Sequence, residues 1–188
     1  MEDSQLNIVC YTGGTCGDLV TAIIDNRGTE LNYEKGTVTI SPDRSRLKKP
    51  HQFDGVDSKD FYLQSIKKQY LSIPSHDLEY HLLKHHNFIG IAVTDFDAAL
   101  WAANRFKELH RPLVWKEMQS KCGAATVEDY ARMLIDFSNL LKKHSQLLIT
   151  LESILLGNAI ESMENLLQQQ IPAQNRDFYQ KWLKLQDL

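Results

Sequence analysis

"NIVCYTGGTCGDLVTAII", residues 7–24, runs from an apolar segment through a glycine-rich turn into a second apolar segment. The pattern predicts a buried strand over 7–11 and a helix over 18–25. A strand that ends in glycines and opens into a helix brings several backbone N–H groups and the positive end of the helix dipole to one point. Glycine serves there because a Cβ would block close approach, or because φ must be positive. Thr12, Gly13, Gly14, Thr15, Cys16, Gly17 and Asp18 are therefore the candidate binding residues for a phosphate group, a nucleotide or another small anion. The competing reading is a strand–helix turn that serves architecture alone. The turn is not a Walker loop, since no lysine lies between Tyr11 and Asn26, and it is not GxGxxG. Cysteine at position 16, where a Cys-x5-Arg phosphatase loop starting at Cys10 needs arginine, excludes that class as well.

Working outward, "FIGIAV" (88–93) reads as a second buried strand followed by a helix over 97–109. "QLLITL" (146–151) reads as a third strand or as a continuation of helix. Turn signals at Asn26–Gly28 and Glu34–Gly36 bracket a hairpin that includes Thr37–Ile40. Residues 41–55 are polar and proline-bounded, a loop, and 57–71 have helical spacing. Ser75, after Pro74, is placed to cap a helix through His86, and Thr126 with Asp129 forms a capping pair before "VEDYARMLIDFSNLLKKH". Two last helices are expected at about 158–170 and 174–186. Strands alternating with helices predict an α/β fold with a largely parallel sheet, flanking helices and C-terminal helices packed on the core. One domain is expected over 1–188, its core at about 7–160 and its C-terminal helices at about 158–188.

The formal net charge of -3 gives no general reason to expect nucleic acid or an anionic membrane as partner. No apolar run reaches membrane-spanning length, and the acidic, polar start "MEDSQLN" is unlike a signal peptide. Three cysteines without a CxxC pair fit a reducing compartment, so a soluble, intracellular (cytoplasmic) protein is expected.

The order of these features resembles the P-loop-type sulfotransferases. In that family a strand enters a Lys-[Ser/Gly]-Gly-Thr turn that cradles the 5′-phosphosulfate of 3′-phosphoadenosine 5′-phosphosulfate, and "TGGTCGDLV" stands in that place. The family's Thr-His or Ser-His pair is matched by Ser75–His76 in "IPSHDL". Its strand into Arg-x-Pro-x-Asp…Ser…Phe is matched in frame by "IGIAVTDFDAALWAANRF", and its Glu-containing turn by "QLLITLESIL" with Glu152. The resemblance covers about residues 7–160 in order. It implies a sulfotransferase-like fold, a nucleotide cofactor at the glycine turn, and His76 as a catalytic base for an acceptor hydroxyl. Three positions depart from the pattern: Thr12 stands where the family has lysine, Thr94 or Asp95 where it has the 3′-phosphate arginine, and Ala102 where it has serine. Missing cations remove the strongest class of contact to a phosphate. Group-transfer chemistry and a retained fold that binds a protein partner are thus both open.

Other polar clusters are candidates of lower rank. His81 and His85 have i,i+4 spacing that can hold zinc, but no third ligand is signposted, so no metal is expected. Arg44, Arg46, Lys48 and Lys49 concentrate charge in "RSRLKK", without the aromatic residues of a nucleic-acid stacking platform. Arg105 and Arg111 are candidates for displaced positive charge near the sheet edge. The last helix carries Phe178, Trp182 and Leu185 on one face, fit to dock on its own domain or on a partner.

Overall fold

The computed structural model describes residues 6–45, 69–76, 78, 87–110 and 112–186. Its centre is a four-stranded, all-parallel sheet in the order β4-β1-β5-β6, formed by β1 (Asn7–Cys10), β4 (Ser72–Ser75), β5 (Asn87–Ala92) and β6 (Leu147–Thr150). β1 is buried along its whole length, with Ile8 opposite Ile73 on one side and opposite Phe88 on the other. A strand covered on both faces needs apolar side chains at every position, which is why "NIVC" and "FIGIA" read as unbroken apolar runs. Successive side chains alternate between two cores. Val9, Tyr11, Ile89 and Ile91 enter one, while Ile8, Cys10, Ile73 and Phe88 enter the other with Leu141.

The first core is roofed by α1 (Gly17–Ile24), α6 (Leu151–Leu155), α7 (Ala159–Leu167) and α8 (Ala173–Leu185). α1 is apolar all round and buried everywhere except at Asp18, as a helix sandwiched between sheet, hairpin and α8 must be. The C-terminal helices are tied down by polar contacts as well. Tyr179 Oη donates to the Ile154 carbonyl at 2.6 Å, and Asn175 Nδ2 to the Ile23 carbonyl at 3.0 Å. On the other side α3 (Phe96–Leu109), α4 (Pro112–Cys122) and α5 (Val127–His144) pack together around Ala98, Ala99, Ala102, Phe106 and Tyr130. α5 starts with the expected capping box of Thr126 and Asp129. β2 (Thr29–Asn32) and β3 (Thr37–Ile40) form the expected antiparallel hairpin.

Residues 147–150 are strand, which settles the alternative left open by "QLLITL". Three expectations need correction. Pro74 does not precede a helix cap at Ser75; both lie in β4, at the edge of the sheet, where a missing N–H interrupts no second ladder. Within the expected loop after β3, Pro42–Ser45 forms a short helix, α2, and Gln69–Leu71 at the end of the expected helix are turn and coil. The remainder of that helix, and the helix over 79–86, lie outside the described residues. Among the described residues no helix is long and apolar enough to cross a membrane.

Candidate functional site

From the end of β1 the chain turns through α1 toward β4 on one side, whereas from β5 it travels over α3, α4 and α5 to β6 on the other. The gap beyond the carboxyl ends of β1 and β5 is thus the topological switch point, where open α/β sheets hold ligands. Tyr11–Cys16 occupies the β1 side of this gap, and Val93–Asp95 the β5 side. His76 follows β4, and Glu152 follows β6. The residues singled out from sequence therefore lie along one edge of the sheet.

Within the turn, Thr15 folds back on Thr12: its N–H and its Oγ1 both donate to the Thr12 carbonyl, at 3.2 and 2.8 Å. Gly14 (φ 94°) and Cys16 (φ 64°) take left-handed backbone, and Cys16 N-caps α1 without a side-chain cap. Such reversals turn successive amides toward a common concavity. Among the described residues, the amides of Gly13, Gly14, Cys16 and Gly17 have no hydrogen-bond acceptor.

The glycines themselves are explained by protein packing. A Cβ on Gly13 would lie 2.8 Å from Phe106 Cδ2 and closer still to Cε2. One on Gly14 would run into the Ala102 carbonyl, and one on Gly17 into the Tyr11 ring. Alanines at 98, 99, 102 and 103 give α3 a shallow face, and the turn settles on its backbone. Tyr130, stacked on Phe106 with ring centroids 5.3 Å apart, donates to the Gly13 carbonyl at 3.2 Å. Sequence reasoning missed Phe106 and Tyr130 as supports of the turn; the alanine stripe beside them was the available signal.

Tyr11 closes the other flank. Its ring lies over Gly17, and its hydroxyl donates to Asp18 Oδ1 at 2.5 Å. Burial, then the charge of Asp18 and the hydrogen bond to it, hold the phenol well above its ordinary pKa. His76 lies against the same tyrosine, edge-on at 4.5 Å between centroids, with Nδ1 2.6 Å from the Tyr11 carbonyl. Because a carbonyl only accepts, Nδ1 carries a hydrogen, and in the neutral ring Nε2 is then the basic nitrogen. That is the tautomer a general base needs. Burial, opposed by Arg105 and helped by Asp18, pushes the Cys16 thiol up to about 12, which disfavours the thiolate a nucleophile needs.

Two of the cations that sequence offered as substitutes for the family's lysine and arginine, Arg44 and Arg105, are engaged elsewhere. Arg44 is fully buried and donates to the carbonyls of Asp25, Arg27 and Ser72, the last at 2.8 Å. It fastens α2 to β4 and to the end of α1, and cannot meet a ligand. Arg105 lies over Trp101 and Trp182 and donates to the Gly36 carbonyl at 2.5 Å, fixing the hairpin tip. Arg46, Lys48, Lys49, His81, His85 and Arg111 lie outside the described residues. Among the described residues no group of three metal-ligating side chains converges.

On the β5 side, Glu152 Oε1 accepts from Thr94 N (2.7 Å), Asp95 N (2.6 Å) and Thr94 Oγ1 (3.1 Å). Burial raises the pKa of this carboxyl, but hydrogen bonds from its own amide, Thr94 and Asp95 outweigh that and hold it below the usual range. Asp95 in turn caps α3 by accepting from Ala98 N at 2.9 Å. No family model, curated protein or solved structure matches the chain.

Proposed function

We propose that the protein has a divergent P-loop, sulfotransferase-like architecture. Its Thr12–Asp18 turn binds a small phosphate- or sulfate-bearing molecule, with nucleotides as the first class to test. The observation that carries this reading is the set of four amides, at Gly13, Gly14, Cys16 and Gly17, without an acceptor among the described residues in the turn that leads into α1 beside the switch point. Backbone amides and a helix dipole bind oxyanions without any side chain. His76, which meets the Tyr11 carbonyl through Nδ1, is the residue to which the sulfotransferase resemblance assigns the base. Group transfer would also need positive charge where negative charge develops. Thr12 supplies none, and among the described residues Arg44 is enclosed and Arg105 is held at the hairpin tip, which favours binding over transfer.

A second reading, a fold kept for structure or for docking a protein partner, is favoured by the packing of Phe106, Ala102 and Tyr11 into the spaces the glycines leave. Thermal unfolding separates the two. A ligand at 100 times its Kd adds about 2.7 kcal/mol. For a chain of this length that raises Tm by about 7 °C. The informative ligands are inorganic sulfate, ATP, GTP and 3′-phosphoadenosine 5′-phosphate, and the informative variant is Thr12→Lys, which restores a cation on a half-exposed position. The binding reading expects a shift that Thr12→Lys enlarges. Equal Tm values with every ligand, in parent and variant alike, would leave the structural reading.

A further inference from the structure

We propose that β6 is a docking edge for a second copy of this chain, the two β6 strands pairing antiparallel about a two-fold axis so that two four-stranded sheets become one. A second copy held there touches none of the Thr12–Asp18 turn and leaves the binding reading independent. The hydrogen bonds of the sheet fix which way each edge residue faces. Asn87 N donates to the Leu6 carbonyl at 3.1 Å, and Asn7 N and Tyr11 N donate to the carbonyls of Leu71 and Ser75 at 3.0 and 3.1 Å. In a parallel ladder a residue bonds to the neighbours of its partner, and successive residues bond to opposite sides. The register therefore turns Leu147 and Ile149 toward β5 and leaves Leu148 and Thr150 facing outward. On the opposite edge it leaves Ser72 and Pro74 facing outward.

The two edges are finished differently. At β4, Arg44 Nη2 donates to the Ser72 carbonyl at 2.8 Å, and Pro74 has no N–H to offer. At β6, among the described residues, only the Thr150 carbonyl has a partner, Ser153 Oγ at 2.7 Å; the Leu148 and Thr150 amides and the Leu148 carbonyl have none. An edge with free donors and acceptors is a template for another strand, and proteins ordinarily blunt it with proline or charge. The segment "LLIT" carries neither. Leu147 and Leu148 pack on opposite cores, yet both remain half-exposed.

Charge selects a second copy as the occupant. Lys142 and Lys143 are exposed at the end of α5, just before β6, and have no ion-pair partner among the described residues. At the far end of the strand Glu152 accepts from Asp95 N, and Asp95 and Asp97 are exposed at the start of α3. Each copy thus has a basic and an acidic end, separated by a strand of about 13 Å. Antiparallel pairing lays the lysines of each copy beside the acids of the other, and the two-fold makes that contact twice. Parallel pairing would set like charges together.

The test is sedimentation equilibrium at low salt, over the micromolar to near-millimolar range, of the parent, Leu148→Pro, Lys142→Glu/Lys143→Glu and Asp97→Lys. The parent should reach the mass of two chains, and the dimer dissociation constant should rise at least about tenfold in each variant. An equimolar mixture of the two charge variants should regain the dimer, because the new glutamates then meet the new lysine. Leu148→Pro removes an outward N–H, as Pro74 does at the other edge; should it fail to fold, the charge variants, which alter exposed side chains alone, decide. A parent with the mass of one chain at every concentration overturns the proposal. So does a dimer that both charge variants leave intact, or a mixture that associates no better than either variant alone.

Discussion

If Gly13 is glycine because of Phe106, the two positions should be energetically coupled. Gly13 has no positive φ, so alanine there costs no backbone strain, and the penalty is steric. Its Cβ would meet the ring edge, closest at Cε2, then Cδ2 at 2.8 Å and Cζ at 3.2 Å. The ring cannot retreat freely, because Tyr130 stacks on it at 5.3 Å and His110 meets it edge-on at 4.1 Å. Overpacking of this kind costs about 1–3 kcal/mol. With an unfolding entropy of about 0.4 kcal/mol/K for this length, that is a Tm lowered by roughly 3–8 °C. Phe106→Ala removes the whole ring at its own, larger cost in packing, and in that background Gly13→Ala should be nearly neutral. The assay is a double-mutant cycle by thermal or urea unfolding, with an expected coupling of about 1 kcal/mol or more. Strict additivity, or a Gly13→Ala protein as stable as the parent, would refute the packing explanation and return the glycine to a ligand's account.

Further outcomes follow from the same contacts. Arg44→Met should lower stability by at least about 3 kcal/mol, read from urea melts, because it leaves the carbonyls of Asp25, Arg27 and Ser72, the first and last of them in buried contacts, without this donor. A stable Arg44→Met protein would reopen a ligand role for the arginine. Glu152 has a folded-state pKa below that of the unfolded chain, so its contribution is present above about pH 4.3 and is lost as pH falls through the folded value. Glu152→Gln should therefore lose less Tm than the parent on acidification from neutral pH to below 4.3; equal losses would contradict this. Cys16, its thiol pushed up to about 12 by burial, should resist iodoacetamide at pH 8 in the native protein and react once unfolded, as followed by peptide mass spectrometry. Rapid native alkylation would contradict the geometry of the turn.

The passage from strand to turn to helix was legible because burial on both faces demands unbroken apolar runs, and because few turns other than glycine turns join them. β1, β5, the hairpin, α3 and the capping box of α5 all follow from local chemistry of that kind. β4 was not legible. A four-residue strand containing Pro74 carries a turn signal, and only its place at the sheet edge makes it a strand. Arg44 was misread for a related reason. In sequence it heads a basic run; in the fold it is drawn inward by carbonyls of Asp25, Arg27 and Ser72, partners 17–28 residues away that no local window contains. At the site, the turn and His76 were found, but the reason for each glycine was not, since Phe106 and Ala102 reach it from a helix some ninety residues later. Likewise the Glu152 bridge to Thr94 and Asp95 joins positions 57–58 residues apart.

An amide-resolved NMR titration of the protein with adenosine 5′-monophosphate and with inorganic phosphate reads the donors of the turn one by one. The amides of Gly13, Gly14, Cys16 and Gly17 are expected to shift together and saturate along one binding curve, because they are the donors left without an acceptor, among the described residues, in the turn that leads into α1. If those four resonances stay in place up to millimolar ligand while the spectrum remains that of a folded protein, the turn binds neither anion. "TGGTCGD" would then be the way one chain fits a strand end against a helix.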